Sequence, residues 1–266
     1  MYTIQNYVKV KSLEEAYELN QKKTSRIIGG GMWLRLGYRN IGTAIDMTDL
    51  GLDQIEETDD AFIIGCMTSL RDIECHEGMN RYFHGMMKET MRGIVGTQFR
   101  NTATIGGSIY QRFGFSDPLT AFLALDTTVE MHAGGMIPLD EFVNMDYDRD
   151  ILVRIHVKKD GRKAAYQSFR NTKTDFPVLA VGVSALNGSW KVTIGARPMR
   201  AKVAVADGVL SSKPEAKEIE QFAAAARDAL GYSSNMRASA EYRKVLAEVL
   251  VTRAVEDILK QQNEEE

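Results

Sequence analysis

The chain has 266 residues, of which 44% are hydrophobic and 26% charged, and a formal net charge of −3. These proportions are ordinary for a globular protein of one large or two small domains, and the dispersed basic residues argue against a nucleic-acid surface. No apolar run approaches the roughly 20 residues that span a bilayer, and Cys66 and Cys75 are too few for a disulfide framework or a four-thiolate cluster. With no signal peptide, the sequence predicts a cytoplasmic protein.

The first 160 residues predict an irregular succession of short strands and helices. Capping sequences at Ser12 and Ser69 each predict the start of a helix. A single further helix is predicted over 81–93, with its methionines as core filler. Apolar or alternating runs predict strands at 2–11, 26–28, 43–46, 61–65, 128–132 and 151–157.

Two glycine segments interrupt this pattern. Gly29-Gly30-Gly31 follow the strand at 26–28, and Gly106-Gly107 come before a helix whose predicted N-cap is Asp117. Glycines let backbone N–H groups approach a ligand closely and can form an anion-binding nest, so each segment is a candidate phosphate loop. The alternative for Gly106-Gly107 is a tight turn between a strand and a helix.

No standard nucleotide, metal or catalytic motif accompanies the glycines. Leu34 stands where the third glycine of G-x-G-x-x-G belongs, and no G-x-x-x-x-G-K-[ST] run occurs. His76 and His84 have no partners at ligand spacing, which indicates surface histidines rather than metal ligands. No paired carboxylates and no Ser/His/Asp set are apparent, so we predict no catalytic residues.

The pattern changes after a solvated turn at 158–162. Asn187-Gly188 is a strong hairpin signal between two of the predicted strands. Three antiparallel strands are predicted at 165–169, 177–186 and 190–195.

Two amphipathic helices are predicted after these strands. The first begins at Pro214 and is stopped by Gly231, and the second runs over about 239–260 before a frayed acidic tail at 263–266. The apolar stripe predicted for the second helix consists of Tyr242, Val245, Leu246, Val249 and Leu250.

Four segments, in the right order, carry a family resemblance. IIGGGMWL at 27–34 is similar to an A-G-G-T-D-L loop, and RNTATIGGSI at 100–109 to an R-N-x-A-T-I-G-G-N loop. SDPLTAFLALDTTVEM at 116–131 and EYRKVLAEVLVTRA at 241–254 continue the match. Over nearly its whole length the chain therefore resembles the FAD-binding subunit of molybdenum hydroxylases, the xanthine dehydrogenase and carbon monoxide dehydrogenase flavoprotein family.

The resemblance implies an α+β fold with two domains. Residues 1–160 would form a two-lobed FAD-binding domain of the vanillyl-alcohol-oxidase (PCMH) type, with lobes at about 1–55 and 56–160. Residues 161–266 would form a small C-terminal domain of antiparallel sheet and helices, of the CO dehydrogenase flavoprotein type.

The resemblance also assigns FAD contacts to individual residues. Asp117 falls where the family bonds a ribose hydroxyl, Leu152 where it places an apolar flavin neighbour, and Arg170 where it places a basic residue near the isoalloxazine ring. The full set of implied cofactor-binding residues is Ile27, Ile28, Gly29, Gly30, Gly31, Met32, Trp33, Leu34, Ala103, Thr104, Ile105, Gly106, Gly107, Ser108, Ser116, Asp117, Leu152 and Arg170.

Three positions depart from the family pattern. Met32 replaces the usual threonine of the first loop, Trp33 its acid, and Ser108 the asparagine after T-I-G-G. These replacements remove side-chain hydrogen bonds but leave the backbone donors.

The implied function is electron transfer in a xanthine dehydrogenase-like complex. A large molybdopterin-binding subunit would hydroxylate the substrate, and electrons would pass through [2Fe–2S] clusters of a small subunit to FAD in this chain, then to NAD+ or another acceptor. Two alternatives are a flavin-free scaffold subunit of such a complex and a self-sufficient small flavoenzyme.

Overall fold

The computed structural model describes residues 2–211 and 213–263, so residues 264–266 of the predicted tail lie outside the described part. Its first lobe is a three-stranded sheet in the order β1-β3-β2 with all pairs parallel. Because parallel strands end at the same edge, the first glycine segment leaves this sheet where β3 also ends. The elements of the lobe are β1 (Thr3–Lys9), α1 (Leu13–Asn20), β2 (Ser25–Ile28) and β3 (Asn40–Asp46).

The second lobe is a five-stranded antiparallel sheet in the order β4-β5-β8-β6-β7. A series of short helices lies between β5 and β6 in the chain. Its elements are β4 (Ile55–Glu57), β5 (Ala61–Gly65), α2 (Leu70–Cys75), α3 (Glu77–Tyr82), α4 (Met86–Arg92), α5 (Thr97–Thr102), α6 (Ile105–Tyr110), α7 (Asp117–Ala124), β6 (Thr127–Met131), β7 (Gly135–Pro138), α8 (Leu139–Phe142) and β8 (Leu152–Lys158).

The single helix predicted over 81–93 is wrong, because the chain breaks between α3 and α4. His84 and Gly85 take left-handed backbone angles, φ 49° and 81°, which no continuous right-handed helix contains. His76 caps the start of α3, its Nδ1 accepting a hydrogen bond from the N–H of Met79 at 3.1 Å. The methionines of α4 are buried, as the sequence predicts for core filler.

The C-terminal region is a four-stranded antiparallel sheet covered by two helices. Asn187 and Gly188 both have positive φ, 49° and 81°, as the predicted two-residue hairpin turn requires. The prediction of three strands misses β12, an edge strand with mostly exposed or half-buried side chains and hence little apolar signal. The elements are β9 (Lys163–Phe169), β10 (Leu179–Leu186), β11 (Ser189–Gly195), β12 (Lys202–Val209), α9 (Ala216–Asp228) and α10 (Ala240–Asn263).

The buried face of α10 differs from the predicted stripe. Tyr242, Val245 and Val249 are exposed, whereas Leu246 and Leu250 are buried as predicted. Small alanines let the helix approach β9 and β10 closely, so its buried face is centred on residues that a search for large apolar side chains overlooks. That face consists of Leu246, Ala247, Leu250, Val251, Ala254, Val255 and Ile258. The α+β fold class predicted from the sequence is confirmed.

Helix α7 joins the two halves of the molecule. All eight of its residues are buried, and it packs on β10 and β11. Thr193 Oγ1 donates to the carbonyl of Thr120 at 2.8 Å, and the hydroxyl of Ser184 hydrogen-bonds to the carbonyl of Ala124. Helix α7 is therefore held between the second lobe and the C-terminal sheet.

The two glycine segments bring the first and second lobes into backbone contact. A Cβ atom built on Gly30 would lie 1.6 Å from the carbonyl oxygen of Thr102, and one on Gly29 would lie 2.6 Å from Oγ1 of Thr104. Within the second lobe, a Cβ on Gly106 would lie 2.5 Å from the carbonyl oxygen of Cys66. All three positions require glycine, because a side chain there would overlap a neighbouring atom.

A buried ion pair fixes α5, the helix that precedes the second glycine segment. Arg100 Nε and Nη2 donate to the two carboxylate oxygens of Glu74 at 2.7 and 3.2 Å, and Nη1 donates to the carbonyl of Ile94 at 3.0 Å. Burial by itself raises the pKa of Glu74, but the hydrogen bonds from Arg100 and Arg71 outweigh it, and the pKa is lowered overall. Arg100 is thus a structural residue of the R-N-x-A-T-I-G-G segment.

We expect Gly30→Ala to destabilise the fold by about 3 kcal/mol, the upper end of the usual cost of overpacking, because the clashing atom is a backbone oxygen that cannot rotate away. Gly96→Ala is the matched control, since its Cβ would meet only Oε1 of Gln98, at 4.0 Å. It should cost no more than about 1 kcal/mol at this N-cap position. Urea denaturation of both variants measures the difference, and equal losses would show that the lobes do not meet at Gly30.

Candidate functional site

A cleft runs along the line where the lobes meet. It consists of two adjoining cavities of about 550 and 500 Å³, a size typical of ligand sites. Both glycine segments contribute to both cavities. The residues that line the two cavities in common are Arg26, Ile27, Gly29, Arg39, Thr104, Gly107 and Gln111.

The first glycine segment offers backbone donors to the first, larger cavity. Gly31 has a φ of 67°, and its carbonyl accepts from the N–H of Arg35 at 3.0 Å, which closes the turn. Within the described residues, no protein acceptor hydrogen-bonds to the N–H groups of Gly30, Gly31 or Met32. All three residues line the first cavity, which makes their unpaired N–H groups candidate donors to an anion there.

The second glycine segment is different, because Gly106 and Gly107 lie inside the short helix α6 rather than in a loop. The N–H groups of Ile105 and Gly106 donate to the carbonyls of Thr68 and Cys66, both at 2.9 Å. That of Gly107 donates to Oγ1 of Thr104 at 3.3 Å. The backbone nest predicted at Gly106-Gly107 is therefore wrong, since these donors are already used within the protein.

What the second segment supplies is a surface without side chains. A Cβ on Gly107 would meet only Oγ1 of Thr104 within 4 Å, at 3.3 Å, so the space beyond it is open. Gly107 is exposed and lines both cavities. A ligand can thus lie flat against the backbone of α6.

The N-cap of α7 is Ser116, and the sequence-based assignment of Asp117 as the cap is wrong. Ser116 Oγ accepts from the N–H of Leu119 at 3.2 Å and donates to the carbonyl of Ser108 at 2.9 Å. Asp117 is instead the first helical residue. The cap shifts by one position because Ser116 has the extended backbone that a cap requires.

Because Asp117 does not cap the helix, its carboxylate can form a buried charge cluster with Tyr166 and Arg170. Its Oδ1 accepts hydrogen bonds from the Tyr166 hydroxyl and the Arg170 guanidinium, and Arg170 also donates to the carbonyl of Asp175 at 2.6 Å. Burial raises the pKa of Asp117, while Arg170 and Tyr166 favour the carboxylate; burial and the Asp117 charge raise the pKa of Tyr166. No other described residue donates to Oδ2 of Asp117, which remains an acceptor for a ligand hydroxyl.

An aromatic cluster forms part of the wall of the first cavity. Trp33 stacks on Phe176 with ring centroids 5.4 Å apart and also touches Phe99, Phe113 and Phe115. The guanidinium of Arg237 lies 4.8 Å from the ring centre of Phe176. None of the four phenylalanines was predicted; the only signals were the closeness of Phe113 and Phe115 to Ser116, and of Phe176 to Arg170.

Nearly all of the predicted site residues lie on the cleft. Ile105 is the exception, being buried beneath it. Leu152 lines the second cavity and Arg170 the first, so they do not share a wall. Gly106 also lines only the second cavity. The remaining members of the first cavity are Ile27, Ile28, Gly29, Gly30, Gly31, Met32, Trp33, Leu34, Ala103, Thr104, Gly107, Ser108, Ser116 and Asp117.

Cys66 lies beside Leu152 in the second cavity, where burial raises the pKa of its thiol to about 12. Among the described residues, no group of three or more His, Cys, Asp or Glu side chains is placed to hold a metal ion. In the same part of the chain, no helix is both long and apolar enough to cross a bilayer.

We expect Asp117→Ala to cost about 3–5 kcal/mol of unfolding free energy, because it leaves the Arg170 guanidinium buried without its partner. Ser116→Ala should cost only about 1 kcal/mol, the usual value of an N-cap. Urea unfolding of the two neighbouring variants makes the comparison. If the Ser116 variant loses as much stability as the Asp117 variant, the buried charge cluster contributes no more to the free energy of unfolding than the helix cap does.

Comparison with known proteins gives consistent family matches. Residues 2–157 match the "FAD binding domain in molybdopterin dehydrogenase", and residues 164–258 match the "CO dehydrogenase flavoprotein C-terminal domain". The uncharacterized protein YgfM of Escherichia coli (strain K12) is 24% identical, with 93% of this chain and 94% of that protein covered. The nicotine 6-hydroxylase medium subunit of Paenarthrobacter nicotinovorans is also 24% identical, over 94% and 95%.

Among solved structures, a chain of the reconstituted CO dehydrogenase from Oligotropha carboxidovorans superposes with a TM-score of 0.85. It is 20% identical, with 97% of this chain and 98% of that chain covered, which shows that the fold is shared. Because the first family match by itself covers more than half of the 266 residues, the chain belongs to the family of FAD-binding domains of molybdopterin dehydrogenases, and its cofactor is FAD.

Proposed function

We propose that this chain is the FAD-binding electron-transfer subunit of a molybdenum hydroxylase complex. A large molybdopterin-binding subunit would supply electrons to the [2Fe–2S] clusters of a small subunit. This chain would take the electrons from those clusters and pass them to NAD+ or another acceptor. The main observation behind this proposal is the double cavity between the lobes. Free backbone N–H groups line one side of it, and the glycine backbone of α6 lines the other. The naming of one relative as a hydroxylase medium subunit supports this assignment.

The two cavities suit the two ends of FAD. The first holds the aromatic side chains of Trp33 and Phe176 and the free oxygen of Asp117, which suits one ring system of FAD and a hydroxyl of the sugar chain next to it. The second contains apolar atoms of Leu152 and Met67, which suits the other ring system. In either orientation the diphosphate would lie at the junction of the cavities, beside the free N–H groups of the first glycine segment.

The three departures from the family pattern are compatible with FAD. Ser108 uses its hydroxyl within α6, donating to the carbonyl of Thr104 at 3.1 Å. Met32 packs against the main hydrophobic core, and Trp33 joins the aromatic cluster. None of these side chains blocks the free N–H groups, so the loss of polar side chains leaves the backbone donors in place.

The charges at the cleft suit a cofactor holder better than a hydroxylating site. When bound, FAD supplies the redox chemistry, and the protein orients it and sets its electrostatic surroundings. Asp117 and Arg170 neutralise each other in the first cavity, which leaves neither as an obvious general acid or base. We accordingly assign substrate oxidation to a partner subunit. A self-sufficient flavoenzyme would instead need its own acid or base beside the flavin.

We place the domain boundary at residue 160, with a FAD-binding domain at 1–160, its lobes at about 1–55 and 56–160, and a C-terminal domain at 161–266. The three separate sheets support this division, as do the family matches that end at 157 and resume at 164.

The purified chain should contain FAD that is bound without a covalent link. Neither glycine segment carries a cysteine or histidine for attachment, and Cys66 has a raised pKa that keeps it protonated at neutral pH. Acid precipitation should release a yellow supernatant in which HPLC identifies FAD. Colour that stays in the pellet would refute noncovalent binding, and colourless protein would favour the flavin-free scaffold.

Gly107→Val should give folded protein with little or no flavin. Its side chain would project from the bare surface of α6 into open space that both cavities share. Gly107→Ala, with a smaller side chain, should lower flavin occupancy less. Occupancy from the visible spectrum, with circular dichroism to verify folding, measures the effect; full flavin in the valine variant would place the cofactor elsewhere.

Expression from the native operon should yield a complex with a large molybdenum-binding subunit and a small [2Fe–2S] subunit. Affinity purification through a tag on this chain, followed by mass spectrometry and metal analysis, tests the composition. A native preparation that lacks both partners and still oxidises a substrate would support a self-sufficient flavoenzyme.

A further inference from the structure

Three arginines that belong to no recognised motif gather at the cleft. Arg26 and Arg39 line both cavities, and Arg149 lines the second. They come from three separate places in the chain: the strand before the first glycine segment, the segment before β3, and the loop before β8. Their convergence at one site is therefore a product of the fold.

None of the three arginines of this trio forms a salt bridge with a carboxylate of the described residues. Arg26 Nη1 donates to the carbonyls of Lys23 and Ser25 at 2.7 and 2.6 Å, and Arg149 Nη1 donates to the carbonyl of Asn20 at 2.9 Å. Burial, then Arg149 and Arg39, lower the pKa of Arg26, as expected of like charges held close together.

Two carboxylates do line the second cavity, but they are occupied elsewhere. Asp150 accepts from the N–H groups of Ala133, Gly134 and Ile151 at distances of 2.7 to 3.2 Å. Asp148 accepts from the Tyr110 hydroxyl at 3.2 Å and from the N–H of Asp150 at 3.0 Å. The trio thus forms no direct ion pair, and a bound anion would lower the repulsion among its three positive charges.

We propose that Arg26, Arg39 and Arg149 form a subsite for the diphosphate of a dinucleotide, acting together with the free N–H groups of Gly30, Gly31 and Met32. The inference rests on the proposed function for the identity of the dinucleotide as FAD, but the chemistry is that of any nucleoside diphosphate. Arginine donates to phosphate oxygens in a bidentate manner, and the backbone donors add directional hydrogen bonds.

The test is calorimetric titration of the flavin-free full-length chain with FAD, ADP and riboflavin. Arg39→Gln should weaken the binding of FAD and ADP by about tenfold, the effect of one lost charge-assisted hydrogen bond, and leave riboflavin unchanged. Arg39→Lys keeps the charge and should retain most of the affinity. Arg35→Gln is the matched control, because Arg35 lies in the same segment but lines neither cavity.

Salt gives a second readout. Raising the NaCl concentration should weaken FAD binding to the wild-type chain more than to the double variant Arg39→Gln/Arg149→Gln, since salt screens the charges that the variant lacks. Equal affinities of the Arg39→Gln and Arg35→Gln variants for FAD and ADP would overturn the inference. If the wild-type chain binds ADP through the arginines but not FAD, the subsite stands and the proposed function fails.

Discussion

The structure depends on backbone-to-backbone contact between the two lobes. Gly30, in the loop after β2, lies so close to the carbonyl of Thr102 at the end of α5 that no Cβ atom fits between them. Gly106 makes a second close contact inside the second lobe, where α6 packs on the carbonyl of Cys66 just after β5. The glycines of the two segments therefore differ in their surroundings. Gly29, Gly30 and Gly106 face protein atoms, whereas Gly31 and Gly107 face open space.

Two buried ion pairs keep the cleft in shape around this contact. Arg100 binds Glu74 and so fixes α5, which leads into α6. Arg170 binds Asp117 at the start of α7 and also holds the loop that carries Asp175 and Phe176. Buried ion pairs contribute little net stability because desolvation offsets the attraction between the charges. Their value here is positional: the first holds α5 against α2, and the second ties the loop at Asp175 to the start of α7.

The cleft combines chemically distinct regions along its length. Aromatic rings around Trp33 occupy one end, unpaired arginines and free N–H groups the middle, and apolar side chains around Leu152 the other end. This division into apolar ends and a polar, basic middle is the pattern that the proposed diphosphate subsite requires. The paired charges of Asp117 and Arg170 offset each other, so the unpaired cations of the cleft are those of the middle region.

Local patterns in the sequence determined most elements of the fold, because strand alternation, Ser12 and Ser69 as caps, and the Asn187-Gly188 turn depend on neighbouring residues alone. The ordered glycine segments and Ser116-Asp117 likewise sufficed to indicate the family and FAD. Only the tertiary structure decided which glycine N–H groups are free, because Thr68 and Cys66 reach Ile105 and Gly106 across the fold. It also decided that alanines dominate the contact face of α10, and that Phe176, Arg39 and Arg149 border the cleft. Those outcomes depend on contacts between residues that are far apart in the chain, and the periodicity and spacing of residues carry no information about such contacts.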